Sequence, residues 1–336
     1  MRRAIAVVAA VAMIAAAAVI RSRLDDDEVA RTVRLVCATE LEAACTHLTG
    51  RLQTTVEPAG TTAGRLATAS GDPGLDGWLV PDPYPEIVDQ RRQRASLPPS
   101  FGSQQTLARS PLVLVVWNER SMALGRQRCP QQVDWRCLGD AVAAGPWTAS
   151  SGQAAWDRIK PGHRPASTDA TGMLVLGHAV SGWFGTASLS TADLDDDSFA
   201  RWFTAVERAV PSPSPPEGPL QRMLTVGPAA YDAVGTTEAE AGPLLAASPR
   251  RGELNLLYPS PMATADVVLA VAVKGSTASA VRRLAGGNDA RQSLAGIGWR
   301  VQGVARAPGI PDSPPLPPAS GLPSAGLLQA LQDLVA

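Results

Sequence analysis

ARSPLVLVVW, residues 108–117, is the stretch that decides the fold. It carries no charged residue after Arg109, and its run of Leu and Val predicts a continuous apolar strand. A second long apolar strand is predicted within LYPSPMATADVVLAVAV, residues 257–273. Strands of this kind are typical of sheets that helices cover on both faces.

The sequence before residue 108 alternates between strand and helix patterns. Strands are predicted at Thr32–Val36, up to Glu57 and from Asp76 onward, and a helix pattern follows each of the first two. Strands that alternate with helices predict a parallel sheet with covering helices. The fold class is therefore α/β.

Local signals predict where several helices begin. Thr39 and Glu42 have the spacing of a capping box, which predicts a helix beginning at Thr39. Thr61 and Thr62 are predicted to lie in a loop before the second helix. In GHRPASTDATGMLVLGHAV, residues 162–180, apolar residues at helical spacing predict a helix that begins near 169–171 and buries one face.

Further helices follow in the second half of the chain. DDDSFARWFTAVERAV, residues 195–210, predicts an amphipathic helix with acidic residues at its N-terminal end, where the helix dipole favours them. YDAVGTTEAEAGPLLAA, residues 231–247, predicts a short strand, a polar turn at Thr236 and Thr237, and a helix from Glu238. A closing helix is predicted in LLQALQDLVA.

Length and composition limit the classes of protein. The chain has 336 residues, 45% of them hydrophobic, which favours two medium-sized domains. Lys and Arg number 30 against 31 Asp and Glu, and no basic face stands out, so nucleic acid is not an expected partner.

The N-terminus predicts export. Two arginines precede an uncharged apolar run from Ala4 to Ile20, the arrangement of a secretory signal with Met1 on the cytoplasmic side. Residues 1–24 are therefore interpreted as a signal peptide or a retained membrane anchor. The small residues at 15–17 would suit a signal peptidase, whereas the length of the run would just span a bilayer.

The four cysteines form two local pairs of equal spacing, Cys37 with Cys45 and Cys129 with Cys137. A separation of eight is wrong for C-x-x-C metal or redox chemistry, and an oxidising compartment favours disulfides. Disulfides Cys37–Cys45 and Cys129–Cys137 are therefore predicted, with four buried thiols as the alternative.

Several of these segments together resemble the type 2 bacterial extracellular solute-binding proteins, the substrate-binding family of ABC transporters. They are the order of α/β units, the strand RSPLVLVV, the loop Pro165–Thr168 before a helix, YDAVGTTEAEA, and the returning YPSPMATADVVLAV. The resemblance covers about residues 30–336. The chain differs from the usual pattern in lacking a cysteine at the end of its apolar segment.

The resemblance implies a two-lobed periplasmic-binding-protein-like fold in which two long strands cross the hinge. One lobe would comprise residues 30–116 and 263–336, and the other residues 117–262. A small polar or anionic solute would bind between the lobes without covalent chemistry, and lobe closure would complete its contacts.

Ligands of α/β sheets gather beyond the carboxyl ends of the strands, where helix N-termini present free N–H groups. By resemblance, the positions implied to contact the solute are short hydroxyl or carboxylate residues at these ends and one tyrosine: Thr39, Glu40, Thr61, Thr62, Ser110, Ser167, Thr168, Thr237, Glu238 and Tyr258. Arg65, Arg109 and Arg164 would supply charge. For each hydroxyl residue, simple helix capping is the alternative.

Enzymatic signatures are lacking in the sequence. The three histidines are scattered, and neither H-E-x-x-H nor G-x-S-x-G occurs. The chain is therefore expected to be a monomeric binding protein without cofactor or metal. Its expected partners are the solute, a membrane permease or another envelope protein, and the membrane itself through the N-terminal segment. The alternative is a membrane-anchored envelope interaction or sensory module that keeps the fold without transporting a solute.

Overall fold

The computed structural model describes residues 32–48, 52–212, 214–273 and 278–335. The predicted signal or anchor segment, residues 1–24, lies outside them. The strands, numbered in chain order, are β1 Val33–Cys37, β2 Leu52–Val56, β3 Gly77–Pro81, β4 Phe101–Trp117, β5 Pro161–Gly162, β6 Ala233–Thr237, β7 Leu254–Leu257 and β8 Thr264–Ala272.

Helices cover both faces of the sheet. They are α1 Glu42–Thr46, α2 Ala59–Thr68, α3 Tyr84–Arg94, α4 Asn118–Gly125, α5 Trp135–Ala143, α6 Ala170–Phe184, α7 Asp197–Ala209, α8 Pro219–Val226, α9 Glu238–Ala247, α10 Ala278–Ala285, α11 Asn288–Gly296 and α12 Ala325–Val335. Among the described residues, no helix is both long and apolar enough to cross a membrane.

The strands run in the order β2-β1-β3-β8-β4-β6-β5, and β7 also pairs with β4. β1 lies parallel to β2 and β3, as the alternating strand and helix pattern predicts. β8 is inserted between β3 and β4 and is antiparallel to both. The last long strand of the chain therefore completes a sheet that the first strands began.

β4 belongs to both halves of the sheet. Its 17 residues pair with β8 as far as Pro111, and from Leu112 onward they pair with β6. Beyond this point its side chains alternate between two cores, as the pleat requires. Leu112, Leu114 and Val116 join the main core, whereas Val113, Val115 and Trp117 join a second core with α8.

α6 begins where the sequence predicts, because the side chain of Asp169 accepts a hydrogen bond from the Gly172 N–H at 3.0 Å and caps the helix. The predicted apolar face is buried, and the remaining surface of the helix is buried as well. Residues 170–182 are buried all round, because α6 packs between the sheet and the neighbouring helices α5 and α12. By contrast, α7 buries one face through Phe199, Trp202 and its neighbours, as predicted.

Both predicted disulfides are confirmed, Cys37–Cys45 and Cys129–Cys137. The capping box predicted at Thr39 was wrong. Residues 39–41 form a single 3₁₀ turn that no side chain caps, and the Thr39 hydroxyl instead donates to Glu40. Thr61 and Thr62 lie in the first turn of α2 rather than in a loop, because that helix already begins at Ala59.

Candidate functional site

A polar cavity lies where β1 and β6 end. It has a volume of about 450 Å³ and is called the acidic cavity below. Its polar walls are formed by Thr39, Glu40, Arg164, Thr171, Thr237 and Glu240. Ala43, Ala239, Pro243, Leu244, Ile297 and Trp299 form the apolar walls. The cavity thus combines a few polar groups with apolar surface, as small-molecule sites do.

The N-terminus of α6 points toward this cavity and is already bound by carboxylates of the protein. Glu40 Oε1 accepts hydrogen bonds from the Ala170 N–H at 2.6 Å and the Thr171 N–H at 3.3 Å. Asp169 accepts from the next amide, that of Gly172. The helix dipole favours negative charge at this position, so Glu40 stabilises the approach of the segment after β1 to α6.

The pKa of Asp169 is raised to about 8, chiefly because the carboxyl is buried and also because the Glu40 carboxylate lies nearby. Arg164 and the Gly172 amide oppose the rise. Two carboxylates that share one helix N-terminus therefore favour a state in which Asp169 holds a proton at neutral pH.

Arg164 lies between two carboxylates, those of Glu240 and Asp169. Its Nη2 donates to Glu240 Oε1 at 3.0 Å, and its Nε lies 3.9 Å from Asp169 Oδ2. Burial alone would lower the pKa of Arg164, but Glu240 and Asp169 raise it overall, so the side chain stays charged. Glu240 also accepts from the Thr236 hydroxyl. The single arginine of the cavity wall is therefore engaged.

Glu238 and Tyr258 lie behind the cavity wall rather than in it. Glu238 is fully buried, and its carboxylate accepts from Arg300 Nε at 2.6 Å and Nη2 at 2.5 Å. The Tyr258 hydroxyl donates to the same carboxylate at 2.5 Å. Burial, and then the hydrogen bond to the Glu238 carboxylate, raise the pKa of Tyr258. These three side chains form a closed network.

Ser110 and Thr237 cap α9. The buried Ser110 hydroxyl accepts from the Ala239 N–H at 2.9 Å, and the Thr237 hydroxyl accepts from the Glu240 N–H at 3.2 Å. For both residues, helix capping was the alternative to solute contact. Thr237 also lines the acidic cavity, whereas Ser110 does not.

The remaining predicted positions lie at a close contact between α2 and the loop before α6. The Gly60 N–H donates to the Thr168 carbonyl at 3.3 Å, and a Cβ on Gly60 would lie 2.8 Å from the Ser167 carbonyl oxygen. Ser167 and Thr168 have exposed side chains beside the exposed Thr61. The buried Thr62 hydroxyl donates to Glu57.

The other two arginines predicted to supply charge lie away from the acidic cavity. Arg65 binds Glu57 at 3.0 Å and the Pro73 carbonyl at 2.8 Å. Arg109 binds Asp266 at 2.9 Å on the β8 side. Of the thirteen predicted positions, the cavity wall therefore brings together Thr39, Glu40, Arg164 and Thr237.

Three further residues that line the acidic cavity were not predicted from the sequence: Thr171, Glu240 and Trp299. Glu240 follows Glu238 by two residues, so the predicted helix start at Glu238 already placed it in the first turn of α9. No local pattern predicts Trp299, because it reaches the cavity from the segment after α11. Within the described ranges, no group of three or more His, Cys, Asp or Glu side chains is placed to hold a metal ion.

No protein-family model and no curated protein matches the sequence. Solved structures of periplasmic binding proteins do match the fold. AfuA from Actinobacillus pleuropneumoniae, with fructose-6-phosphate bound, superposes with a TM-score of 0.59 at 11% identity, over 90% of this chain and 97% of that one. The ferric binding protein from Campylobacter jejuni gives 0.57 at 10% identity, over 90% and 99%.

The sulfate-binding protein SubI from Mycobacterium tuberculosis H37Rv gives a TM-score of 0.50 at 13% identity, over 81% of this chain and 88% of that one. These similarities extend over nearly the whole length of each protein. The chain therefore has the mixed α/β two-domain fold of the periplasmic solute-binding proteins, and this part of the implied fold is confirmed.

Proposed function

We propose that the protein is an exported solute-binding protein that holds a small polar solute in the acidic cavity. The cavity itself carries this proposal, because about 450 Å³ of partly polar space lies beyond the ends of β1 and β6. That is where ligands bind in sheets of this kind. We propose that residues 30–116 and 263–336 form one lobe and that residues 117–262 form the other. Both lobes then contribute residues to the walls of the cavity.

The charges of the cavity favour an uncharged or cationic solute over an anionic one. Glu40 and Glu240 face a single arginine, and Arg164 is already bound to Glu240. The three amides at the start of α6 are bound by Glu40 and Asp169. An anion would meet neither a free guanidinium nor a free helix N-terminus, whereas an amine or a hydroxyl would meet carboxylates.

The N-terminal segment and the two disulfides support a place outside the cytoplasm. Delivery to the permease of an ABC importer would fit this location. The neighbours named above bind sulfate, iron and a sugar phosphate by their names, and solute capture is what they share.

The test is a thermal-shift and calorimetric screen of the exported fragment. We expect a stabilising shift with at least one of arginine, lysine, putrescine, glycine betaine or glucose. Glu240→Gln should then weaken the binding of the responding probe. A panel without any shift would contradict the proposal.

A wedge at the contact between α2 and the loop before α6 tests whether closure is part of binding. A Cβ on Gly60 would lie 2.8 Å from the Ser167 carbonyl oxygen and 3.2 Å from Thr168 Cα, so Gly60→Ala forces the two segments apart. Gly64→Ala is the matched control, because Gly64 lies in the same helix and a Cβ there meets nothing within 4 Å.

We expect Gly60→Ala to increase the radius of gyration in small-angle scattering and to weaken the responding probe about tenfold or more, since only the closed state completes the contacts. Gly64→Ala should leave both unchanged. Equal affinity in the two variants would separate binding from closure and would contradict this step of the proposal.

One observation favours the second candidate function, an envelope interaction or sensory module. Glu40 reaches α6 through hydrogen bonds of 2.6 and 3.3 Å, so the protein itself supplies the carboxylate at this helix N-terminus. A fold held closed by its own side chain would need no solute. Glu40→Gln distinguishes the two candidate functions. In an interaction module that Glu40 holds closed, the substitution would loosen closure. In a solute-binding protein, it would alter the affinity for the responding probe.

A further inference from the structure

A second and larger cavity lies beside the first half of β4, on the edge that β8 does not cover. It has a volume of about 660 Å³, and we call it the arginine cavity. One wall is the strand segment 105–109, and the others are residues 300–306 and the proline-rich segment around 312–316. Four arginines and one carboxylate line it: Arg109, Arg291, Arg300, Arg306 and Asp312.

Two of the four guanidinium groups are fully engaged by the protein. Arg300 forms a bidentate ion pair with the buried Glu238 and also donates to the Pro314 carbonyl at 2.6 Å. Arg109 binds Asp266 at 2.9 Å, a carbonyl at 2.6 Å and a hydroxyl at 2.8 Å. These two therefore shape the cavity without leaving charge to bind a ligand.

Arg291, on α11, is different. Its Nη2 donates to the Gln302 carbonyl at 2.6 Å, but its Nε is buried without a hydrogen-bond partner. Among the described residues, no carboxylate lies within 4.0 Å of its guanidinium. A buried donor without an acceptor is costly, and a charged donor is more so. Arg291 also lines the cavity, so an anion held there would supply the negative charge that its guanidinium lacks.

Arg306 is weakly compensated. It donates to the Pro311 carbonyl and pairs with Asp312 at 3.4 Å, but the Asp312 side chain is fully exposed. An exposed ion pair of this kind contributes little, so a stronger anion can replace it. Gly303, at a φ of 74° between Gln302 and Arg306, allows the tight turn that brings this segment to the cavity.

We propose that the arginine cavity binds a small organic polyanion whose carboxylate or phosphate oxygens contact Arg291 and Arg306. Guanidinium forks match carboxylate and phosphate geometry, and the cavity volume is that of a small-ligand site. The proposal is independent of the solute proposed for the acidic cavity, because that cavity disfavours anions.

The experiment is isothermal titration calorimetry of the exported fragment with inorganic pyrophosphate and with citrate at low ionic strength. We expect one site per chain for at least one probe, weakened by added NaCl because the contacts are ionic. Arg291→Gln and Arg306→Gln should each weaken binding by about tenfold, as expected for the loss of a charge-assisted contact. Asp312→Asn should strengthen binding by about two- to threefold, because it removes the competing carboxylate.

Arg282→Gln is the matched control. Arg282 lies on the neighbouring α10, donates to Ser103 at 2.9 Å and does not line the cavity, so its loss should leave the titration unchanged. The absence of binding by both probes would overturn the proposal. So would affinity that is lost in Arg164→Gln and kept in Arg291→Gln, because the anion would then occupy the acidic cavity.

Discussion

The acidic cavity and the arginine cavity lie on either side of one buried ion pair and differ in what their charges leave free. In the acidic cavity Glu40 and Glu240 outnumber Arg164, which is already paired with Glu240, whereas in the arginine cavity four arginines face the single exposed carboxylate of Asp312. Arg300 lines the second cavity, and its partner Glu238 lies between two residues that line the first. Net charge near zero can therefore conceal two sites of opposite preference.

The wall between the two cavities contains the ion pair of Glu238 and Arg300, and its loss should have the largest effect. Glu238→Gln leaves Arg300 without a full counter-charge at a site where both side chains are buried. We expect a loss of roughly 3–5 kcal/mol in the free energy of unfolding. That corresponds to a fall in Tm of about 5–15 °C for a chain of this size. Differential scanning calorimetry measures it.

Glu253→Gln is the control for Glu238→Gln, because it breaks an exposed ion pair with Arg250 at 2.9 Å. It should change Tm by less than about 1 °C. Equal effects of the two substitutions would mean that the wall contributes no more than a surface pair, and that the cavities are not separated in the way described.

The next largest effect compares the two disulfides. Each closes a loop with a separation of eight residues, so the chain-entropy description predicts a loss of roughly 2–3 kcal/mol for Cys37→Ser/Cys45→Ser and for Cys129→Ser/Cys137→Ser alike. Only the first holds the segment that carries Glu40.

Amide hydrogen exchange should distinguish the two double variants. Protection of the Ala170 and Thr171 amides, which donate to Glu40, should fall only when Cys37 and Cys45 are replaced. A similar loss of protection in both variants would show that Glu40 is held by the packing of the whole fold rather than by its own disulfide.

An effect that depends on pH follows from the raised pKa of Asp169, about 8. An unfolded Asp titrates near pH 4, so between about pH 4 and 8 the folded state retains a proton that the unfolded state releases. Stability from this group therefore falls as the pH rises through that window. Asp169→Asn removes the effect and keeps a helix cap.

The Tm of Asp169→Asn should equal that of the wild type near pH 4 and exceed it by roughly 5–15 °C at pH 8. Asp312→Asn, in the arginine cavity, should change Tm by less than about 1 °C at either pH, because its carboxylate is exposed. A difference for Asp169→Asn that did not grow with pH would contradict the assigned burial.

Features that arise from neighbours in the chain were predictable from the sequence. Asp169 caps α6 because its acceptor is three residues from the amide it binds, and the two disulfides join cysteines eight residues apart. The ends of β1 and β6 placed Thr39, Glu40 and Thr237 correctly at one edge, because strand ends follow from hydrophobic pattern and turn chemistry.

Features that arise from distant partners were not predictable. Glu238 pairs with Arg300 across 62 positions, and Glu40 reaches Ala170 across 130. Neither spacing corresponds to a helix turn or a hairpin, so nothing in the local pattern indicates that one glutamate is buried in a wall and the other bridges to a helix. The early start of α2, which takes in Thr61 and Thr62, has the same origin, since packing decides where this helix begins.

The insertion of β8 between β3 and β4 sets the order in which this chain can fold as it emerges. Until residues 264–272 are present, residues 101–110 have no neighbouring strand, and the edge of β3 opposite β1 is unpaired. A chain that folds from its N-terminus would therefore expose an apolar strand edge until its last quarter is present. Exposed strand edges of this kind can pair with other chains. Binding factors that shield such edges, or rapid delivery of the last quarter of the chain, would decide the yield of native protein.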